Sequence, residues 1–218
     1  MTGQIQHKID FIHEFIPQGV NLILVGHSIG CYIIIHMLDI IDKHPVLKCI
    51  HLFPTIERLA TTDTGSYMTP ILRYMRWAAP YTIAPCTLLS KSAQRSILEW
   101  YFKGTNTSPC GIEATLKLVS SESIKHIANM GYDEFQMVKT ADYEIIDKHI
   151  DKFIIYYGAI DHWCPVSYYE DMKRRYPQAE IWLCKDKIQH AFCLDAGSSM
   201  AVHVCSWLNA HFEIVCNT

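Results

Sequence analysis

The chain has 218 residues, half of them apolar and 19% charged, with a net charge of -3. That composition supports one sizeable core and argues against disorder. The mild charge, with no basic block, argues against nucleic acid as a partner, and no run of eighteen apolar residues marks a membrane span.

The opening, MTGQIQHKIDFIHEF, lacks the basic-then-apolar order of a secretory signal, so an intracellular, non-secreted chain is expected. Residues 3–16 set Ile5, Ile9, Ile12 and Ile16 on one face, which predicts an amphipathic helix with Thr2 as its N-cap. Pro17-Gln18-Gly19 breaks it. The apolar run Leu22-Ile23-Leu24-Val25 then predicts a strand, and it ends in Gly26-His27-Ser28-Ile29-Gly30. A helical segment, Cys31 to Lys43, follows, apolar nearly all round and so expected to be buried. His44-Pro45 ends it, and Leu47–Phe53 reads as a second buried strand closed by Pro54. The order αβαβ implies a parallel sheet with right-handed crossovers.

From Tyr67 to Ser90 the pattern changes. YMTPILRYMRWAAPYTIAPCTLLS holds three prolines, four aromatics and only Arg73 and Arg76 as charges. An insertion here reads either as a cap helix over the strand ends or as a segment lying in a lipid interface. Residues 90–103 predict a helix stopped by Gly104, with Ile97, Leu98, Trp100 and Tyr101 as its apolar part. Thr105–Gly111 reads as a loop, which makes the formal glycosylation sequon Asn106-Thr107-Ser108 a loop feature. Ile112–Met130 predicts a helix ended by Gly131, and one or two short helices follow to Lys148. Residues 60–148 are thus expected to form a helical cap inserted into a single domain of residues 1–218.

Lys152–Tyr157 (KFIIYY) predicts a strand, Pro165–Tyr176 a helix with Pro165 in its first turn, and Glu180–Cys184 another strand. The loop 185–189 delivers His190. Ser198–Val215 predicts a closing amphipathic helix with Met200, Val204, Trp207, Leu208 and Phe212 inward. The nine cysteines are odd in number and form no C-x-x-C pair, so reduced thiols are expected. Twelve histidines occur without an H-E-x-x-H or Cys/His ligand spacing, so no metal site is expected.

Strand, G-x-S-x-G and helix in succession is the nucleophile elbow of α/β-hydrolases. The turn holds the serine hydroxyl clear of the sheet, and Gly26 and Gly30, lacking a Cβ, would let strand and helix approach. In that fold an acid and then a histidine follow on loops after late strands. Asp161 follows FIIYYGAI and His190 follows the last strand, so Ser28, Asp161 and His190 are the candidate nucleophile, acid and base. The Ile29 backbone N–H is the candidate oxyanion donor. His27 and Trp163 are candidate pocket residues. His162 reads as a rim residue, and Glu170, Asp171 and Asp186 are rival acids on a helix or a connecting loop. Acyl transfer at Ser28 is common to esterases, thioesterases and peptidases, and the motif does not name the leaving group.

The runs LVGHSIG, HLFPTIERLA, FIIYYGAIDHWCP, YYEDMKRRYP and IQHAF resemble the lipid droplet-associated hydrolase family, and the likeness extends from GQIQHKIDF through the last helix. The resemblance implies a cofactor-free serine hydrolase of lipid esters, with sterol (cholesterol) esters as the proposed substrate class. It implies residence on lipid droplets and the endoplasmic reticulum, at the cytosolic face. It puts the nucleophile on Ser28, the acid on Asp161 and the base on His190, and it makes Tyr67–Ser90 the candidate droplet contact. One feature departs from the family. Several strands precede the elbow in a full α/β-hydrolase sheet, whereas one helix precedes Gly26 here. The expectation is an N-terminally short form without those strands or the second oxyanion donor, with the elbow strand at an open sheet edge. A short form of that kind predicts weak or silent turnover, with binding to droplets or to a partner protein as the alternative function.

Overall fold

A computed structural model of the chain describes residues 1–212. Four parallel strands form its sheet, β1 (Leu22–His27), β2 (Val46–Leu52), β3 (Phe153–Gly158) and β4 (Glu180–Cys184), in the spatial order β1-β2-β3-β4. Gly26 lies opposite His51, His51 opposite Ile155, and Ile155 opposite Ile181. β3 is buried at every position, which is why FIIYYG shows no polar alternation. β1 is an edge of this sheet, and its Val25 is exposed.

Helices flank the sheet. α1 (Thr2–Phe15) packs on α2 (Ile29–Met37), and α2 packs on β1 and β2. α8 (Tyr143–His149) meets α2, and α9 (Val166–Arg175) lies against β3 and β4. The elements not yet placed are α3 (Asp63–Met75), α4 (Ala79–Thr87), α5 (Lys91–Tyr101), α6 (Pro109–Leu118), α7 (Ser121–Met137) and α10 (Gly197–Phe212). The chain divides into two compact units. One comprises Met1–Trp77 and His126–His190; the other comprises Ala78–Lys125 and the chain from Ala191. No helix among the described residues is long and apolar enough to cross a membrane.

Several boundaries differ from the sequence expectation. Met1 is the N-cap of α1, so Thr2 lies in its first turn and makes no cap hydrogen bond. α2 begins at Ile29 and ends at Met37, because Leu38 and Ile40 turn back on the carbonyls of Ile35 and Met37. Gly131 does not stop a helix; it lies inside α7, where a Cβ would come 3.3 Å from Leu72 Cδ1. The helix break comes earlier, at Val119–Ser120, where Ser120 Oγ accepts from Ser123 N–H and starts α7 afresh. Ser108 Oγ accepts from Gly111 N–H and starts α6 inside the expected loop. α5 ends at Tyr101 with Phe102 as its C-cap, and Gly104, at φ +90°, lies in the turn beyond that cap instead of at the helix end. The expected end of α10 at Val215, and Cys216, lie outside the described residues.

α5 inverts its expected polarity. Its buried residue is Gln94, whose amide donates to the carbonyls of Cys86 and Leu89 at the end of α4, while Trp100 and Tyr101 are exposed. A buried amide capping orphan carbonyls outweighs the local apolar stripe.

Candidate active site

The elbow is built from β1, a one-residue turn and α2. Ser28 has φ 55° and ψ -123°, a left-handed conformation that costs a non-glycine residue about 1–3 kcal/mol. Neighbouring bonds hold it there. Ser28 N–H donates to the Leu52 carbonyl at 3.0 Å, and the Ser28 carbonyl accepts from Cys31 N–H at 3.0 Å and Thr55 N–H at 3.4 Å. Beneath the turn, the buried Cys31 thiol donates to Gly26 O at 3.2 Å and Leu52 O at 3.6 Å.

Gly26 and Gly30 play different parts. A Cβ on Gly26 would sit 2.8 Å from Ile34 Cδ1, 2.9 Å from Cys31 N and 2.9 Å from Gly30 C. The strand therefore needs glycine there to pass the helix. A Cβ on Gly30 would meet nothing within 4 Å, so the expectation that both glycines permit the close approach holds only for Gly26. Ile29 opens α2, and its N–H belongs to the first turn, whose donors have no partner within the helix.

His190 joins the serine to the acid. Its Nε2 lies 2.8 Å from Ser28 Oγ and its Nδ1 lies 2.6 Å from Asp161 Oδ2. With Asp161 ionised, Nδ1–H donates to the carboxylate and Nε2 is left to accept from the serine hydroxyl. Asp161 sits in a tight turn after β3, buried, with its Oδ1 accepting from Trp163 N–H at 2.7 Å and Cys164 N–H at 3.3 Å. Burial raises its pKa. The hydrogen bond and charge of His190, the Cys164 thiol and the Trp163 N–H together outweigh burial and hold the carboxyl below its ordinary value.

The surrounding aromatic groups fix the imidazole. Phe53 meets the His190 ring edge-on at 6.2 Å, and Trp163 tilts over it at 5.9 Å with Phe135 behind at 6.1 Å. His27 Nε2–H donates to the His190 carbonyl at 2.8 Å. Burial and then the charge of His190 lower the His27 pKa. His162 is exposed at 3.8 Å from Asp63, and Asp171 is engaged by Arg58 and Arg174.

Thr55, Phe53 and Cys164 were not singled out by sequence. Thr55 Oγ1 reaches within 3.5 Å of Ser28 Oγ because Phe53 turns the chain at φ 48° just after β2. Cys164 Sγ lies 2.8 Å from Asp161 Oδ2, and the three-residue spacing after a turn-forming aspartate was its only sequence signal. Among the described residues, Asp161, Cys164 and His190 are the group that brings three potential metal-ligand atoms within 4.8 Å of one another. Asp161 Oδ2 already takes hydrogen bonds from both partners. The described cysteines are free thiols.

A parallel sheet flanked by helices, with a serine, a histidine and an aspartate in hydrogen-bonded order at its strand ends, defines an α/β-hydrolase fold. The chain is similar in structure to a serine hydrolase of the polyaromatic hydrocarbon-degrading bacterium Cycloclasticus zankles. That match has a TM-score of 0.59 and 13% identity, and covers 96% of this chain and 71% of the other. In sequence, residues 1–193 match the family described as Lipid-droplet associated hydrolase. The chain is 39% identical over 216 residues to the lipid droplet-associated hydrolase of Rattus norvegicus, covering 96% of this chain and 64% of the relative. It is 30% identical over 216 residues to that of Drosophila melanogaster, covering 98% of this chain and 70% of the relative. The chain belongs to the lipid-droplet associated hydrolase family. It spans 64% of the length of the first vertebrate relatives it matches.

Proposed function

We propose that the chain is a serine hydrolase of lipid esters acting by acyl transfer through Ser28. The observation that carries this reading is the continuous path from Ser28 Oγ to His190 Nε2 at 2.8 Å and from His190 Nδ1 to Asp161 Oδ2 at 2.6 Å. His190 takes the serine proton as the hydroxyl attacks the ester carbonyl, and passes it to the leaving alcohol. Asp161 keeps the imidazole in the Nδ1–H tautomer and stabilises the imidazolium. The Ile29 N–H, at the first turn of α2, donates to the developing oxyanion. A water activated by the same histidine then frees the acid. No cofactor enters these steps.

The substrate class rests on family membership, with sterol esters the narrower proposal. So does the location, at the cytosolic face of lipid droplets and the endoplasmic reticulum. The exposed side chains support a lipid surface. In the first unit Tyr67, Tyr74, Met75 and Trp77 project from or just beyond α3. In the second, Tyr81 (72% exposed), Leu88 (87%) and Trp100 (74%) do so along α4 and α5. Aromatic and aliphatic groups of this kind favour the boundary between headgroups and acyl chains.

Fluorophosphonate labelling of the purified chain, beside Ser28→Ala and His190→Ala, tests the hydrolase. Labelling that needs both residues supports it. A folded chain that stays unlabelled overturns it. The exposed aromatics favour a second reading, a non-catalytic chain that coats lipid. Flotation with phospholipid-coated triacylglycerol emulsion, retained by an unlabelled chain and lost in Trp77→Ser/Trp100→Ser, would select that reading.

A further inference from the structure

The Asp161 carboxylate is held by four donors, and one comes from a side chain that the proposed acyl transfer does not use. Trp163 N–H and Cys164 N–H occupy Oδ1. His190 Nδ1–H and the Cys164 thiol share Oδ2, at 2.6 and 2.8 Å. A carboxylate oxygen offers about two in-plane acceptor sites, so this pair fills Oδ2. Cys164 is fully buried. Burial and then the neighbouring Asp161 charge push its thiol well above the ordinary value, so it stays protonated and acts as a donor.

Resting on the reading of Ser28, His190 and Asp161 as a triad, we propose that Cys164 is the positioning residue of the acid. Its S–H bond to Oδ2 fixes the carboxylate plane that faces His190 Nδ1 and shares the charge on that oxygen. With the backbone turn pinning Oδ1, the thiol closes the remaining side, and the carboxylate cannot swing without breaking bonds on both oxygens. The plain alternative is a small thiol that fills a gap. The two differ in what they require. A gap-filler needs size and apolarity, so Cys164→Val or Cys164→Ala is tolerated better than Cys164→Ser. A positioning donor needs a hydrogen, so Cys164→Ser retains the role and the apolar variants lose it.

The groups that face this carboxyl are His190 and Cys164. His27 interacts by charge with both His190 and Asp161, and Cys31 with Cys164. Removing a donor to the ionised form raises the pH at which Asp161 takes up its proton.

The test uses the 218-residue chain with native Cys164, Cys164→Ala, Cys164→Val and Cys164→Ser. The carboxyl carbon of Asp161, assigned with Asp161→Asn, is titrated by NMR, and the fluorophosphonate labelling rate is followed against pH. The Ala and Val variants are expected to move the Asp161 midpoint up by about half a pH unit and to slow labelling roughly five- to tenfold at pH 7. The Ser variant is expected to bring both back close to native. Should Ala fail to fold, the Ser–Val comparison carries the same contrast. A midpoint unmoved by the apolar variants, or a Ser variant indistinguishable from them, overturns the proposal. The NMR midpoint needs no turnover. Failure of the triad reading would therefore appear separately, as a folded native chain that stays unlabelled or whose labelling does not depend on Ser28.

Discussion

The Nε2 of His27 lies 2.8 Å from the backbone carbonyl of His190 and donates to it. The residue before Ser28 therefore anchors the loop of the residue that contacts Ser28. The two rings tilt against each other with centroids 5.2 Å apart. Burial keeps the His27 ring neutral, and a neutral imidazole with its hydrogen on Nε2 satisfies the carbonyl without adding charge beside His190. His27→Leu should slow fluorophosphonate labelling roughly 10- to 100-fold, the scale of a base displaced by about an ångström. His27→Gln, which keeps a donor, should recover most of the rate. Labelling kinetics with circular dichroism as a folding control check this, and equal rates for native and Leu chains would contradict it.

The two elbow glycines should part company under mutation. Gly26→Ala drives a methyl into backbone atoms of α2 at 2.9 Å, contacts that cannot relax by a side-chain rotation. It should cost about 1–3 kcal/mol of stability and abolish labelling. Gly30→Ala meets open space within α2 and should be neutral or stabilising by up to about 1 kcal/mol, with labelling retained. Thermal melts and labelling of the two variants decide the point.

His51 sets an acid limit on stability. It is buried near the C-terminal end of β2, edge-on to Phe153 at 4.6 Å, and neither ring nitrogen has a hydrogen-bond partner. Burial lowers its pKa from 6.5 to about 3. Between those values the unfolded chain binds the proton and the folded chain does not, so stability falls as pH drops from about 6.5 toward 3. The loss amounts to about 2 kcal/mol by pH 5. His51→Leu removes the two unpartnered nitrogens and the titration together. It should be more stable than native by about 1 kcal/mol at pH 7 and by about 3 kcal/mol at pH 5. Urea unfolding at both pH values measures it; a gap that does not widen on acidification would refute the account.

The strands and the elbow were legible because their signals are local. Apolar runs bounded by Gly and Pro gave β1 to β4 to within a residue or two, and G-x-S-x-G between a strand and a helix marked the turn at Ser28. Asp161 and His190 stood out by following late strands, and the structure brings both to Ser28. Other features depend on neighbours distant in sequence. Gly131 signals a helix stop until Leu72 lies beside it. The buried amide of Gln94 and the exposed ring of Trp100 reverse what a hydrophobic stripe predicts. Thr55 gains meaning only when the left-handed Phe53 turns it toward Ser28, and Cys164 only when Asp161 curls back over it.

The parallel order of the sheet has a consequence for the birth of the protein. β3 can pair with β2 only after everything between residues 53 and 152 has been synthesised, and Ser28 meets His190 across 162 positions of chain. Long-range pairing of this kind closes late, because the entropy of each loop must be lost before its contacts form. The helices assemble early, while β2 waits with an unpaired edge that invites association with other chains or capture by a chaperone. The contact between Ser28 and His190, on which the proposed reactivity rests, then forms late. A covalent probe for that serine would report completed folding, lagging behind the helical signal in a refolding experiment.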